Sequence, residues 1–189
     1  MKFIRVLFLT MLFLLPTAVQ AVEIEGVTLP DSIQLQGKTL YLNGAGIRTK
    51  FFFDIYVGGL YLEQHASKAK AKEILADTAN KRITMDFLYG EVEKEKLTDG
   101  WEEGFEKNQS PAHMKNLKTR LGNFNALFSD ARRGDSVVFD LLDDGSTHVS
   151  FNGHEKGVIK GVDFQQALLA VWLGKKPADS DLKKAMLGR

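Results

Sequence analysis

The longest strand-forming segment of this sequence runs from Phe51 to Leu62 and reads Phe-Phe-Phe-Asp-Ile-Tyr-Val-Gly-Gly-Leu-Tyr-Leu. Aromatic and β-branched residues dominate it, which is typical of a central strand covered on both faces. Because side chains alternate along a strand, Phe52 and Tyr56 would share one face. We expect the three phenylalanines to lie in the core. We also expect the Gly-Gly pair to let another element approach the backbone closely.

The N-terminus has the pattern of a secretory signal peptide. Lys2 and Arg5 supply positive charge, an apolar run over residues 6–15 ends at Pro16, and small residues precede position 22. The run is too short to span a bilayer, which takes about 20 apolar residues. We therefore predict a signal peptide over residues 1–21 with cleavage near Ala21, no stable membrane span, and a periplasmic or secreted domain over residues 22–189.

The charge and the cysteine content exclude several classes of protein. The 25 basic and 24 acidic residues give the 189-residue chain a net charge of +1, so we expect no nucleic-acid partner. The absence of cysteine excludes disulfides, iron–sulfur clusters and thiol nucleophiles. His148 and His154 lack the close spacing of zinc ligands, and we predict neither a metal site nor a cofactor. The sequence leaves the oligomeric state open.

Strand and helix patterns follow one another without a repeated βαβ unit. Ser110 and Pro111 are typical of a helix N-cap and first turn, and Asp163 with Gln166 predicts a capping box at the start of a later helix. The order of elements predicts an α+β fold, with helices packed on an antiparallel sheet. After residue 63 the predicted elements are a helix over 67–78, a strand over 82–88, helices over 92–108 and 110–131, a hairpin of strands over 136–142 and 147–151, and helices from 163 and over 180–187.

Three short segments occur in a characteristic order along the chain. They are Gly44-Ala45-Gly46-Ile47-Arg48, the run from Tyr56 to Glu63, and Trp172-Leu173-Gly174 followed by Asp181-Leu182-Lys183-Lys184. Together they resemble the chalcone isomerase family, and the resemblance extends from about residue 27 to the C-terminus. It implies an open-faced β-sandwich, in which a large antiparallel sheet carries a layer of helices on one face.

The resemblance also assigns roles to individual residues. In the plant isomerases of the family, an arginine at the position of Arg48 holds the oxyanion that develops as a ring closes. A guanidinium suits an enolate oxygen or a carboxylate equally well, since it carries a permanent charge and five donors. The isomerases have a threonine in place of Tyr56 and a threonine or serine in place of Val171, and they carry polar residues near Phe124. The resemblance thus implies that much of the catalytic polar network is absent.

The combination of Arg48 and Tyr56 resembles the fatty-acid-binding branch of the family, which grips a carboxylate with an arginine and a tyrosine. This implies a non-catalytic protein that binds a small apolar carboxylate or fatty acid through Arg48, Tyr56, Phe52, Phe124 and Val171. The alternative is an intramolecular lyase or isomerase for an unsaturated ketone, with Arg48 and Tyr56 as catalytic residues. A third alternative is an interaction module whose cavity is filled.

Simpler interpretations of the two residues remain open at the level of sequence. Arg48 could pair with Asp54 at the surface, and Tyr56 could be an ordinary strand aromatic. In an unbroken strand Arg48 and Tyr56 would lie about 26 Å apart. They can meet only if the chain bends, and we expect the bend at Thr49-Lys50.

Overall fold

Seven antiparallel strands form one sheet in the computed structural model, which describes residues 21–64 and 71–189. The order across the sheet is β11-β10-β9-β6-β5-β4-β3, while β1 pairs with β2 and β7 with β8. The strands are β1 (Ala21–Ile24), β2 (Val27–Pro30), β3 (Ser32–Leu35), β4 (Lys38–Lys50), β5 (Phe53–Leu62), β6 (Lys81–Phe87), β7 (Glu91–Val92), β8 (Ala131–Arg132), β9 (Ser136–Leu141), β10 (Ser146–Phe151) and β11 (His154–Lys160). The helices are α1 (Ala71–Ala76), α2 (Lys94–Asn108), α3 (Pro111–Asn125), α4 (Val162–Leu173) and α5 (Ser180–Met186).

The main core lies between the sheet and the helices. Strand β5 is central, since β4 and β6 flank it, and it presents Tyr56 and Leu60 to this core. Helix α4 is buried along most of its length and contributes Trp172. On the opposite face, Val57 packs with Leu29 of the β1–β2 hairpin in a smaller cluster. The arrangement confirms the predicted α+β fold with helices on an antiparallel sheet.

Helix α5 packs directly on the sheet because glycines leave room for it. A Cβ atom at Gly44 would overlap the carbonyl oxygen of Ala185, and one at Gly58 would lie 3.2 Å from Leu182 Cδ1. Gly44 follows a bulge in β4, where the pairing with β5 shifts between Leu42 and Gly44. The predicted close approach to the Gly-Gly pair of β5 is therefore confirmed.

One predicted helix end and one predicted helix cap are wrong. Helix α3 starts as predicted, with the Ser110 hydroxyl accepting from the His113 amide over 3.2 Å, but it ends at Asn125 rather than at residue 131. Helix α4 starts at Val162 without a side-chain cap, because the Asp163 carboxylate is held by Arg120 at 2.6 Å instead. The apolar residues that follow α3 continue a helical spacing although the chain has already left the helix.

The prediction that Phe51, Phe52 and Phe53 lie in the core is also wrong. Their side chains are 84%, 96% and 54% exposed, since the β4–β5 hairpin reverses direction at the first two of them. Of the predicted signal peptide over residues 1–21, all but Ala21 lies outside the described residues, and so do residues 67–70 of the predicted first helix. Within 21–64 and 71–189, no helix is long and apolar enough to cross a membrane. The same ranges contain no cluster of three potential metal ligands.

Candidate functional site

A cavity of about 570 Å³ opens beside the β4–β5 hairpin and is bounded by helix α2. Its volume lies within the range of small-molecule sites. Its deep wall is buried and mostly apolar, and consists of Tyr56, Met85, Leu97, Trp101 and Val171. Its rim is exposed and mostly charged, and includes Lys50, Phe51, Glu91, Glu93, Lys96, Asp99 and Glu103. Because this space is open, the structure does not show the filled cavity of an interaction module.

The β4–β5 register brings Arg48 and Tyr56 together. The two residues are direct partners across the hairpin, and the Arg48 Cζ atom lies 5.7 Å from the centre of the Tyr56 ring. A bulge between Arg48 and Thr49 breaks the regular ladder, and the Thr49 amide donates to Asp179 Oδ2 over 3.1 Å. The chain does turn between the two residues, but at positions 51–52 rather than at the predicted Thr49-Lys50.

Arg48 forms no salt bridge in the part of the chain that the structure describes, and its charge is only the least of the causes that lower the pKa of Glu103. Its Nε atom is buried at the cavity wall and has no hydrogen-bond acceptor there. Asp54, the partner suggested by the surface interpretation, instead accepts a hydrogen bond of 2.9 Å from Thr49 Oγ1. A buried donor on a cationic group normally has an acceptor, so this arrangement suits an anionic ligand.

Tyr56 lines the same cavity, and its hydroxyl is protonated. Its side chain is 2% exposed, and Trp172 Nε1 donates to its oxygen over 2.9 Å. Burial raises the pKa of Tyr56, and the nearby Arg48 charge and the Trp172 hydrogen bond offset only part of that effect. The Trp172 bond uses the oxygen as an acceptor, which leaves the hydroxyl proton for a ligand. A raised pKa also moves Tyr56 away from the neutral range in which a general acid works best.

Trp101 was not predicted as a site residue. It projects from α2 into the cavity wall, and its Nε1 atom is buried without an acceptor among the described residues. Its ring packs on Phe124, Phe139 and Trp172 at centroid distances of 5.5 to 5.7 Å. The helical spacing of Trp101 is that of an ordinary core residue. Only the unpaired indole N–H indicates a role in the cavity as well.

The other predicted ligand-binding residues separate into two groups. Val171 lines the cavity from α4, opposite Gly104. Phe124 lies behind Trp101 in the aromatic core and does not line the cavity. Phe52 is at the exposed hairpin tip and does not line it either. The structure therefore brings together Arg48, Tyr56 and Val171 but not the two phenylalanines.

Charges at the rim are paired locally. Lys107 forms an ion pair of 2.6 Å with Glu103 and lowers the pKa of that carboxyl group. Glu91 pairs with Arg132 over 3.1 Å. Two of the four carboxylates named at the rim are thus paired with basic residues, and Lys50 and Lys96 lie at the same rim.

Comparison with known proteins gives one family and one fold. A family model described as chalcone isomerase-like matches residues 21–188. No curated protein sequence gives a significant match. Among solved structures, a fatty-acid binding protein of Arabidopsis thaliana has a TM-score of 0.67 and 16% identity, and the similarity covers 89% of this chain and 96% of that chain. At this identity the similarity establishes the fold alone, and it confirms the sheet-and-helix architecture that the sequence implied.

Proposed function

We propose a binding function from one established premise: the chain belongs to the chalcone isomerase-like family, whose model matches residues 21–188. The protein holds a small apolar carboxylate, with fatty acids as the ligand class, and performs no chemistry on it. The carboxylate lies against Arg48 and Tyr56, and the hydrocarbon part occupies the apolar wall of the cavity.

The state of Arg48 is the observation that carries this proposal. Its guanidinium borders an apolar cavity, its Nε is buried without an acceptor, and no ion pair within the described ranges includes it. Leaving a buried charged donor unpaired costs about 1–3 kcal/mol or more, so the arrangement favours a ligand that completes it. A carboxylate fits best, because a guanidinium fork can donate two parallel hydrogen bonds to it.

The rest of the cavity fits the same ligand. Tyr56 has a free hydroxyl proton beside Arg48, and Trp101 Nε1 is an unpaired donor in the same wall. Met85, Leu97 and Val171 line the wall with apolar surface that would contact an acyl chain. The Arabidopsis protein of the same fold is a fatty-acid binding protein, and this is our reason for choosing fatty acids among the apolar acids.

Export forms a second part of the proposal. The charged start, the short apolar run and the small residues near Ala21 support secretion to the periplasm or beyond. Expression with a C-terminal tag, followed by mass measurement of the periplasmic fraction, should give a chain that starts at Val22. Recovery of only the full-length chain from the cytosol would contradict export and would leave the binding proposal unaffected.

The binding proposal is tested by titrating delipidated protein with dodecanoate and following tryptophan fluorescence, since Trp101 lies in the cavity wall. We expect saturable binding, and a loss of about tenfold or more in affinity in Arg48→Met, because a charge-assisted hydrogen bond is removed. Dodecanol, which lacks the charge, should bind both proteins equally.

Arg133→Met is the matched control. It removes the same charge from an exposed position outside the cavity, and dodecanoate affinity should not change. Equal dodecanoate affinity in wild type and Arg48→Met would refute the assignment of Arg48. Native mass spectrometry of protein as purified gives an independent check, since a bound acid should be absent from the Arg48→Met variant.

A further inference from the structure

The tip of the β4–β5 hairpin exposes two phenylalanines at the entrance of the cavity. Lys50 pairs with Phe53, so Phe51 and Phe52 form a two-residue turn, which we call the phenylalanine tip. Phe52 is 96% exposed, the most exposed of the large apolar side chains in the described ranges. The tip therefore presents apolar surface to solvent where turns normally carry polar residues.

The other tight hairpins of the chain show what a turn of this kind usually requires. The turns between β1 and β2, β3 and β4, and β10 and β11 also have two residues, and each has glycine in the second position (Gly26, Gly37 and Gly153). The phenylalanine tip has no glycine, yet Phe51 has a φ of +59°. For a bulky side chain this left-handed conformation is strained.

Neither the strain nor the exposure of the tip benefits folding. A glycine at position 51 would adopt this positive φ without strain, and it would expose no aromatic ring. Strained residues that persist at an exposed position are commonly functional. The position of this tip agrees, because Phe51 lines the cavity and the neighbouring Phe53 packs against Tyr89 at its entrance, with ring centroids 5.4 Å apart.

We propose that the phenylalanine tip inserts into the interfacial region of a phospholipid bilayer, so that the cavity entrance faces the membrane surface. Aromatic side chains on a short protrusion suit this region, where they gain apolar contacts while the backbone stays hydrated. The docking of the tip does not depend on the proposed function. Only the further step, in which an apolar acid passes between the bilayer and the cavity, rests on that function.

The dimensions of the tip argue for lipid rather than for a second protein copy. A phenylalanine side chain presents about 200 Å², and two of them fall well below the roughly 800 Å² per partner of a stable protein interface. A convex protrusion of two residues can enter a bilayer without a complementary surface. The charged rim carries four carboxylates and two lysines and is therefore not a basic surface, so docking should depend on apolar contact rather than on anionic lipid.

The test places a fluorescent probe on the tip itself. Phe52→Trp is mixed with phosphatidylcholine vesicles, with and without lipids that carry a nitroxide quencher near the headgroup. We expect a blue shift and quenching of the added tryptophan. Val158→Trp is the matched control, because Val158 is 38% exposed on the edge strand β11, which three strands separate from β5, and its probe should not respond.

A second experiment removes both phenylalanine rings and measures the affinity of the protein for vesicles. Phe51→Asn with Phe52→Ser keeps a residue that tolerates positive φ and removes both rings. We expect vesicle partitioning in a flotation assay to fall at least about tenfold. The proteins share one N-terminus, so residues 1–20 contribute equally to each, and dodecanoate affinity measured without vesicles reports separately on the cavity.

The outcomes separate docking from ligand binding. Quenching of the tip probe in a protein that does not bind dodecanoate would support docking and refute the proposed function. Dodecanoate binding with no quenching, or equal quenching at position 158, would overturn docking alone. A blue shift that rises with protein concentration in the absence of vesicles would show that the tip meets a second copy, and would also overturn it.

Discussion

The indole Nε1 of Trp172 donates a hydrogen bond to the hydroxyl oxygen of Tyr56 over 2.9 Å, which joins helix α4 to strand β5 behind the cavity. Both residues are almost fully buried, so each satisfies the polar atom of the other. The bond uses the Tyr56 oxygen as an acceptor, so the hydroxyl proton is not consumed by it. One pair thus links the stability of the core to the geometry of the candidate site.

Tyr56→Phe should weaken both stability and binding. The substitution leaves Trp172 Nε1 buried without an acceptor, and we expect the free energy of unfolding to fall by about 1–3 kcal/mol. Dodecanoate affinity should also fall, because the ligand loses the hydroxyl donor beside Arg48. Urea denaturation and fluorescence titration measure the two effects.

Tyr89→Phe is the control for this substitution. Tyr89 also lines the cavity but is 37% exposed at the rim, so removal of its hydroxyl should change stability by less than about 0.5 kcal/mol. Equal stability of Tyr56→Phe and wild type would contradict the role of the Trp172 bond. Unchanged dodecanoate affinity in Tyr56→Phe would remove Tyr56 from the ligand site.

Gly44→Ala should destabilise the contact between α5 and the sheet. The added methyl group would overlap the Ala185 carbonyl oxygen, which belongs to a helix backbone and cannot move independently. We expect a loss of about 1–3 kcal/mol in the free energy of unfolding, as for other overpacked sites. Thermal and urea denaturation measure it.

Gly122→Ala is the same chemical change, but we expect it to have the opposite effect on stability. Gly122 is exposed within α3, with nothing within 4 Å of the added atom, so alanine should stabilise the protein by about 0.5–1 kcal/mol. If both substitutions changed stability in the same direction and by the same amount, helix propensity or chain entropy rather than packing would explain Gly44.

The sequence predicted the elements better than it predicted their contacts. The periodicity of β5 and the Ser110 cap depend on neighbouring residues, and both were identified. The pairing of Arg48 with Tyr56 depends on the β4–β5 register and on a bulge anchored by Asp179, which are set by residues far apart in the chain. Asp163 was assigned to a helix cap because its actual partner, Arg120, lies on another helix, and such a contact between distant residues is not visible in the sequence.

The phenylalanine tip explains the largest error of the sequence analysis, which placed Phe51, Phe52 and Phe53 in the core. Tight hairpins are recognised by glycine, asparagine or aspartate, and the turn at positions 51–52 has none of them. Three consecutive phenylalanines therefore resembled the start of a buried strand, although the chain reverses there. Trp101 was missed as a site residue because its spacing on α2 is that of an ordinary core residue, and an unpaired N–H is visible only in three dimensions.

Alkaline stability should depend on Tyr61, which is buried between β5 and the β3–β4 hairpin. Burial raises the pKa of Tyr61 from 10.0 to about 12. A group whose pKa is raised by folding contributes fully below its unfolded value and loses that contribution as the pH rises through the folded value. The free energy of unfolding should therefore decrease between pH 10 and about 12.

Tyr61→Phe isolates this contribution. Other groups, including Tyr56 with its raised pKa and Lys81 with its pKa lowered by burial, titrate equally in both proteins. The difference in unfolding free energy between wild type and Tyr61→Phe should thus change only above pH 10, with the variant less sensitive to base. Parallel curves from pH 8 to 12 would show that the Tyr61 phenol does not titrate differently in the folded state.

Trp101→Phe should reduce the affinity for an acid more than the affinity for the corresponding alcohol. The substitution removes an indole N–H that has no acceptor among the described residues, so it leaves no new unpaired group, although packing against Phe124, Phe139 and Trp172 is lost. That packing loss should weaken dodecanoate and dodecanol equally. If the N–H donates to the carboxylate, a further decrease of about tenfold should appear for dodecanoate alone, corresponding to a hydrogen bond to a charged group. Equal decreases for the two ligands would restrict Trp101 to packing and leave Arg48 and Tyr56 as the polar groups of the cavity.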